Sequence, residues 1–293
     1  MNWPAITSVI TALTALGALV FTGLSLNATR DQVAIAEQGQ FTDRYTKAVE
    51  QLGKAGADHL QVRLGALYSL ERLAHDSPRD QPTIIEVVSA FVRTTAPRTQ
   101  KDCPAQLPTA DVQAALTILG RRDTTHDNHA RVDLNRTCLF GADLRGVDFA
   151  GANLFSAHLG QTALMDADLS RANLYQADFS RAILTGAVLR DVQGAESSFF
   201  WAGLAEADCS GAVLDEADLS LADLRKANLS RAELRGANLD SAQLIGTNLA
   251  QAYLVGAKLT RVYLEDTDFT DATHDDTTVV DAVSEYGTRG KWW

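Results

Sequence analysis

From Val132 to Ala272 the chain places a large apolar residue at every fifth position. The series opens Leu134, Leu139, Leu144, Phe149 and runs to Phe269 through 28 positions without an insertion. Only Gly194 and Cys209 depart from Leu or Phe, and two residues before each position sits a small residue, usually Ala, as at Ala142, Ala152 and Ala157. A period of five matches neither the 3.6 of a helix nor the 2 of a strand. It suits a short extended segment followed by a corner, in which positions i−2 and i point the same way. Ala and Leu then line a narrow solenoid, the other three positions face outward, and backbone groups pair with the coils above and below. In the coil that holds Gly194, Phe199 is expected to fill the vacated volume, with a local bulge at 193–198 as the competing outcome.

Upstream the spacing is helical. Val62, Ala66, Leu70 and Leu73 fall on one face, with Arg63, Glu71 and Arg72 away from it. Thr83-Ile84-Ile85-Glu86 predicts a capping box opening a helix that buries Val88, Phe91 and Val92. Thr109 predicts the cap of a further helix with Val112, Ala115, Leu116 and Leu119 inside, and prolines mark the breaks. Gln32 to Leu52 is predicted helical, in continuation of what precedes it. Downstream, Thr273 to Trp293 lose the repeat. Val279, Val280, Ala282, Val283 and Tyr286 predict one apolar helical face over the open end of the solenoid, with Trp292 and Trp293 packing there or meeting a partner.

At the N-terminus no charged side chain precedes Arg30, and Ala5 to Leu26 is an apolar run diluted by Thr7, Ser8, Thr11, Thr14, Thr22 and Ser25. As a helix it reaches about 33 Å, enough for the hydrocarbon core of a bilayer. The expectation is a single-pass transmembrane anchor in the cell membrane, with Trp3 near the interface. Arg30, Arg44 and Lys47 place the remainder in the cytoplasm. The predicted organisation is a transmembrane anchor at 1–29, a small helical module at 30–130, the repeat solenoid at 131–272 and a cap or tail at 273–293. Cys103, Cys138 and Cys209 are widely spaced and suggest neither a disulfide framework nor a zinc site. As free thiols they agree with a reducing compartment.

Ala167-Asp168-Leu169-Ser170-Arg171, Ala172-Asn173-Leu174-Tyr175-Gln176 and Ala227-Asn228-Leu229-Ser230-Arg231 resemble the A(D/N)LXX unit of the pentapeptide-repeat family. The resemblance implies a mainly β fold, a right-handed quadrilateral β-helix with four units per coil. Seven coils then make a rod about 34 Å long. The helical stretch resembles modules placed before the repeats in some bacterial membrane-associated proteins. One subgroup of the family protects DNA gyrase by imitating duplex DNA, and some members dimerise through the C-terminal end.

Charge weighs these options. The chain carries a net −11, which excludes a general nucleic-acid-binding surface. Residues 132–272 hold 20 acidic and 11 basic side chains. Sorted by side with four units per coil, these sum to −3, 0, −3 and −3, the neutral side being the one that starts at Leu139, so no single face concentrates charge as a DNA surrogate would. No G-x-S-x-G, H-E-x-x-H or paired-Cys motif occurs, and His126 and His129 are too few for a metal centre. No catalytic residue, cofactor or metal is expected, and the many Asp residues form a solubilising wall. The neutral side carries Phe140, Phe200, Trp201 and Leu221 outward as the candidate partner-binding face. Phe155 and Tyr175 form a second stacked pair. The expected function is a non-catalytic, membrane-anchored, cytoplasmic protein–protein interaction scaffold with an unidentified protein partner. The alternative is a DNA-mimicking modulator of DNA gyrase or topoisomerase.

Overall fold

The structure is a computed structural model that describes residues 3–98 and 103–293. Its helices are α1 (Trp3–Leu52), α2 (Leu60–Asp76), α3 (Gln81–Thr95) and α4 (Ala110–Gly120). α1 is one uninterrupted element, so the apolar run and Gln32–Leu52 form a single helix. Only its C-terminal turns join the core. Ala48 and Leu52 are buried there, and Phe41, Tyr45 and Val49 pack against them. The transmembrane expectation is corrected. Within the expected span the side chains at 5–7, 9, 10, 12 and 15 lie outside the described residues, and among the described residues no helix is long and apolar enough to cross a membrane. The hydroxyls of Thr11, Thr14, Thr22 and Ser25, with Gly17 and Gly23, dilute the apolar side chains that remain.

In α2 the buried face is Ala66, Leu67, Leu70 and Leu73, while Val62 is exposed. Arg63, expected to point away, turns inward because Asp111 of α4 is fully buried and needs a donor. Its Nε lies 2.6 Å from the Asp111 carboxylate, and its Nη1 donates to the carbonyls of Lys54 and Gly56. Burial pushes the Asp111 carboxyl up, but hydrogen bonds from Thr109 and Arg63 outweigh it and hold the group below its ordinary range. α3 starts at Gln81 after Asp80, so Thr83 lies inside the helix and the expected capping box does not form. Pro82 sits in the first turn, where a missing N–H costs nothing. Val88, Phe91 and Val92 are buried, as are Val112, Ala115, Leu116 and Leu119 of α4, which begins directly after Thr109.

The repeat folds as a solenoid in a strict 20-residue register, with parallel bridges such as Asp133↔Asn153, Cys138↔His158, Asp143↔Ala163 and Asp148↔Asp168 recurring up the rod. Four five-residue units therefore make each coil, and residues 132–271 make seven coils. The Ala and Leu positions are buried throughout. Where a hydroxyl replaces Ala it is satisfied: Thr137, Thr162 and Ser197 donate to the carbonyl three residues earlier, and Thr247 and Thr267 to the coil below. Every corner residue from Arg136 to Asp271 is left-handed, with φ between 50° and 73°.

Phe199 does not fill the space left by Gly194. It stacks on Phe179 of the coil below, ring centroids 5.0 Å apart, and extends that apolar column. Leu214 of the coil above occupies the room instead, and its Cδ2 would lie 3.0 Å from a Cβ at Gly194. Gln193 and Ser198 keep their register with Val213 and Asp218, so no bulge forms.

The C-terminal residues are not helical. β1 (Lys258–Tyr263) pairs in parallel with β2 (Val279–Ser284), and the register Lys258↔Val279 shows that an eighth turn follows with one extra residue. The same offset recurs at Asp268↔Arg289. The β-branched run Thr277-Thr278-Val279-Val280 suits extended backbone better than helix. Trp292 and Trp293 meet the Phe269 ring edge-on at 5.3 and 5.5 Å, on the end of the rod.

Candidate partner-binding surface of the rod

The N-terminal end of the rod is closed by the helical module. In the upper coils the N–H of each position before the central Leu donates to the coil below, as Asn153 does to Val132 and His158 to Thr137. In the first coil no coil lies below, and the module supplies all four acceptors. Asp133 N–H meets Ser89 Oγ at 3.4 Å, Cys138 N–H the Ala96 carbonyl at 2.8 Å, Asp143 N–H Gln113 Oε1 at 3.0 Å and Asp148 N–H the Gly120 carbonyl at 2.8 Å. Three carbonyls of the same coil also find donors: Arg93 on Asp133, Gln113 Nε2 on Asp143 and Arg122 on Asp148. The helices thus replace a missing coil, and the open edge expected of a solenoid is covered.

A covalent bond reinforces this junction. Cys103 is joined to Cys138, with Cα atoms 5.5 Å apart, which corrects the reading of all three cysteines as free thiols. Pro97 pairs antiparallel with Thr137, and that pairing carries the segment after α3 alongside the first coil. Cys209 alone is free. Burial, with a smaller contribution from Asp208, pushes its thiol up to about 12.

The outer walls are largely self-satisfied. Asn153 and Asn173 form an amide ladder on Asp133, and Asn228 and Asn248 form another on Asp208. Arg145, Arg190, Arg225, Arg235 and Arg261 each pair with a carboxylate on the rod. His158 Nδ1 lies 2.8 Å from Asp178 Oδ2. Among the described residues no group of three His, Cys, Asp or Glu could hold a metal ion. A cavity of about 150 Å³ between α2, α3 and α4 is floored by Ile84, Ile85, Val88, Ile118 and Leu119, and the Arg121–Glu71 pair stands at its rim.

The four predicted contact residues do not form one patch. Phe140 is half-buried in the first coil and stacks on His158 at 5.8 Å. Phe200, Trp201 and Leu221 lie further up, separated from Phe140 by Gly160 and Ser180 in the same column. Trp201 is exposed and carries the Arg181 guanidinium over its ring at 4.9 Å. Leu221 is exposed on the next coil. The helical module sits at the end of the rod and leaves this corner open. Sequence reasoning missed Ile183, which is exposed at the same corner but belongs to the adjacent side. The signal was available, since residue 183 lies only two positions past corner residue 181. Phe155 and Tyr175 stack at 5.9 Å, as expected.

The family profile for pentapeptide repeats matches in eight copies, over residues 133–171, 164–193, 202–240 and 237–273. Among solved structures, a pentapeptide repeat protein (Rfr23) of the cyanobacterium Cyanothece 51142 is 39% identical over 41% of this chain and 64% of that protein, with a TM-score of 0.23. The chain therefore spans less than two thirds of that relative. HetL of Nostoc sp. PCC 7120, involved in heterocyst differentiation regulation, is 28% identical over 53% of this chain and 79% of its own, TM-score 0.30. A pentapeptide repeat protein of the Arabidopsis thaliana thylakoid lumen is 33% identical over 42% and 69%, TM-score 0.16. No curated protein matches the chain. The unbroken period, the four-sided register and the family profile agree that the chain belongs to the pentapeptide-repeat family, with its right-handed β-helix.

Proposed function

We propose that the chain is a non-catalytic interaction scaffold whose rod presents its outer wall to a protein partner, held at a membrane through the N-terminal half of α1. The observation behind this reading is the closure of the rod. Ladder bonds satisfy the coils and the helical module satisfies the first edge, so outward side chains are the chemistry left for recognition. The membrane part rests on Leu13, Leu16, Leu19, Phe21 and Leu24, all exposed on α1 with no protein cover. A lipid phase would cover them at a large gain. Val283 of β2 and Tyr286 just after it, both exposed, make the C-terminal end the place where a second copy would dock. Direct nucleic-acid binding is opposed by the net charge of −11. DNA mimicry is opposed by the arginines that neutralise the rod's carboxylates pair by pair.

In-cell proximity labelling with the full chain tests the scaffold reading. The expected result is one stoichiometric protein partner that an unrelated membrane-attached control does not recover. Labelling of abundant neighbours alone refutes it, and recovery of gyrase subunits with inhibition of purified gyrase moves the assignment to DNA mimicry. Vesicle flotation tests the membrane part: Leu16→Asp with Leu19→Asp is expected to leave the chain at the bottom of the gradient, where wild type floats.

A further inference from the structure

Two residues break the rule that governs the corners. From Arg136 to Asp271 every left-handed corner is Gly or a polar residue, except Trp201 and Leu221. A left-handed backbone is uncommon for a bulky apolar residue and points to a functional use. Burial does not explain either one, because Trp201 is 58% exposed and Leu221 44%. The two lie on adjacent coils of one corner, where Trp201 N–H donates to the Ser220 carbonyl. Ile183 adds a third exposed apolar side chain at 47%. Gly203, bridged to Ile183 in the next column, leaves a gap between the side chains of Ile183 and Asp223, and a Cβ there would meet only the Ala182 carbonyl, at 4.0 Å.

The charge at this corner is as distinctive as its apolarity. Over residues 180–183, 200–203 and 220–223 Asp223 is paired with Arg225, which leaves Arg181 as the charged side chain without a salt bridge. Its guanidinium lies over the Trp201 ring, and among the described residues no carboxylate pairs with it. An Arg placed over an aromatic ring still has N–H groups to offer and loses less freedom when a carboxylate arrives.

We propose that this corner binds an extended protein segment that carries an apolar or aromatic side chain next to a carboxylate. The apolar group lies over the bare backbone of Gly203, beside Ile183, Trp201 and Leu221, and the carboxylate pairs with Arg181. A basic segment would face Arg181, and a long acidic one would meet a rod that carries 20 acidic against 11 basic side chains, so the charge complementarity is confined to one acid. This assignment rests on the scaffold reading and names the chemistry of its partner.

The test pans a random dodecapeptide phage library on the full chain and measures the enriched peptides by fluorescence polarisation. The expected consensus places an apolar or aromatic residue within two positions of Asp or Glu. Affinity is expected to fall about thirtyfold in Trp201→Ser, the scale of an interface hot spot. In Arg181→Gln it falls about fivefold, and that loss vanishes for a peptide with Asn in place of the acid. Gly203→Asp puts a charged side chain where the apolar group would lie and lowers affinity about tenfold. This variant guards against misfolding, because Asp143 and Asp223 already occupy the same column; its circular dichroism and melting are expected to match wild type. Peptides that bind all three variants as they bind wild type overturn the corner and leave the scaffold reading standing. A basic consensus, or no enriched peptide, also overturns the corner. The scaffold reading falls separately, on the labelling result.

Discussion

Asp178 illustrates how a single outward position on the rod is held. It accepts from His158 Nδ1 at 2.8 Å and from the Ser180 N–H at 2.9 Å, and Phe140 stacks on the far side of the imidazole. Burial alone would push its carboxyl up, but the hydrogen bonds from His158 and Ser180 outweigh burial and bring it to about 2. An unfolded Asp titrates near 3.9. The folded value is the lower one, so the stabilisation is complete above about 4 and is lost as pH falls toward about 2. Asp178→Asn is therefore expected to be less stable than wild type by about 2 kcal/mol at pH 6, with the difference closing near pH 2. Urea denaturation across that range checks it, and a gap independent of pH would show that the carboxylate is not the source. The same scale explains one legible and one illegible feature of the core. The Leu and Ala positions could be read because each occupies an equivalent site. The Gly194 coil could not, because the volume was refilled from Leu214 in the next coil rather than by Phe199 in its own.

At the scale of elements, the helical module owes its position to the first coil. Gln113 is the clearest case, since its amide both accepts from Asp143 N–H and donates to the Asp143 carbonyl, as a neighbouring strand would. Gln113→Ala is expected to cost about 1 kcal/mol and to speed amide exchange at Asp143. Gly120→Ala is expected to cost more, because its Cβ would lie 2.4 Å from Val147 Cγ1, and to disturb the Gly120–Asp148 bond. Hydrogen exchange with urea midpoints measures both, and unchanged protection of Asp143 and Asp148 would remove the capping role. Little of this cap was legible in the sequence. Periodicity displays the buried faces of α3 and α4, but Ser89, Ala96, Gln113 and Gly120 share no spacing and no chemistry. They matter only because the fold sets each against one side of the rod. The tail was misread for a related reason: Val279 to Tyr286 offers a face to either geometry, and the coil beneath it selects the strand.

For the whole molecule, the disulfide makes the compartment a testable question. The side of the membrane first rested on two arguments, the cations Arg30, Arg44 and Lys47 and the absence of disulfides. The second is gone, because Cys103 bonds Cys138 across the junction of module and rod. The first presupposes a spanning helix, and among the described residues no helix is long and apolar enough to cross a membrane. Disulfides persist in oxidising compartments, and this one closes a loop that spans α4 and the entry to the first coil. Chain extracted from its native cells under rapid thiol trapping is expected to show no alkylated cysteine while folded, since the third thiol, Cys209, is buried with its pKa raised to about 12. Denaturation without reductant should expose Cys209 alone, and reduction should then release the other two. That pattern would place the rod in an oxidising compartment. Alkylation of Cys103 and Cys138 in the unreduced, denatured chain would instead point to a reducing compartment. Capping would then rest on the hydrogen bonds of Ser89, Ala96, Gln113 and Gly120, and the Gln113→Ala penalty would be correspondingly larger.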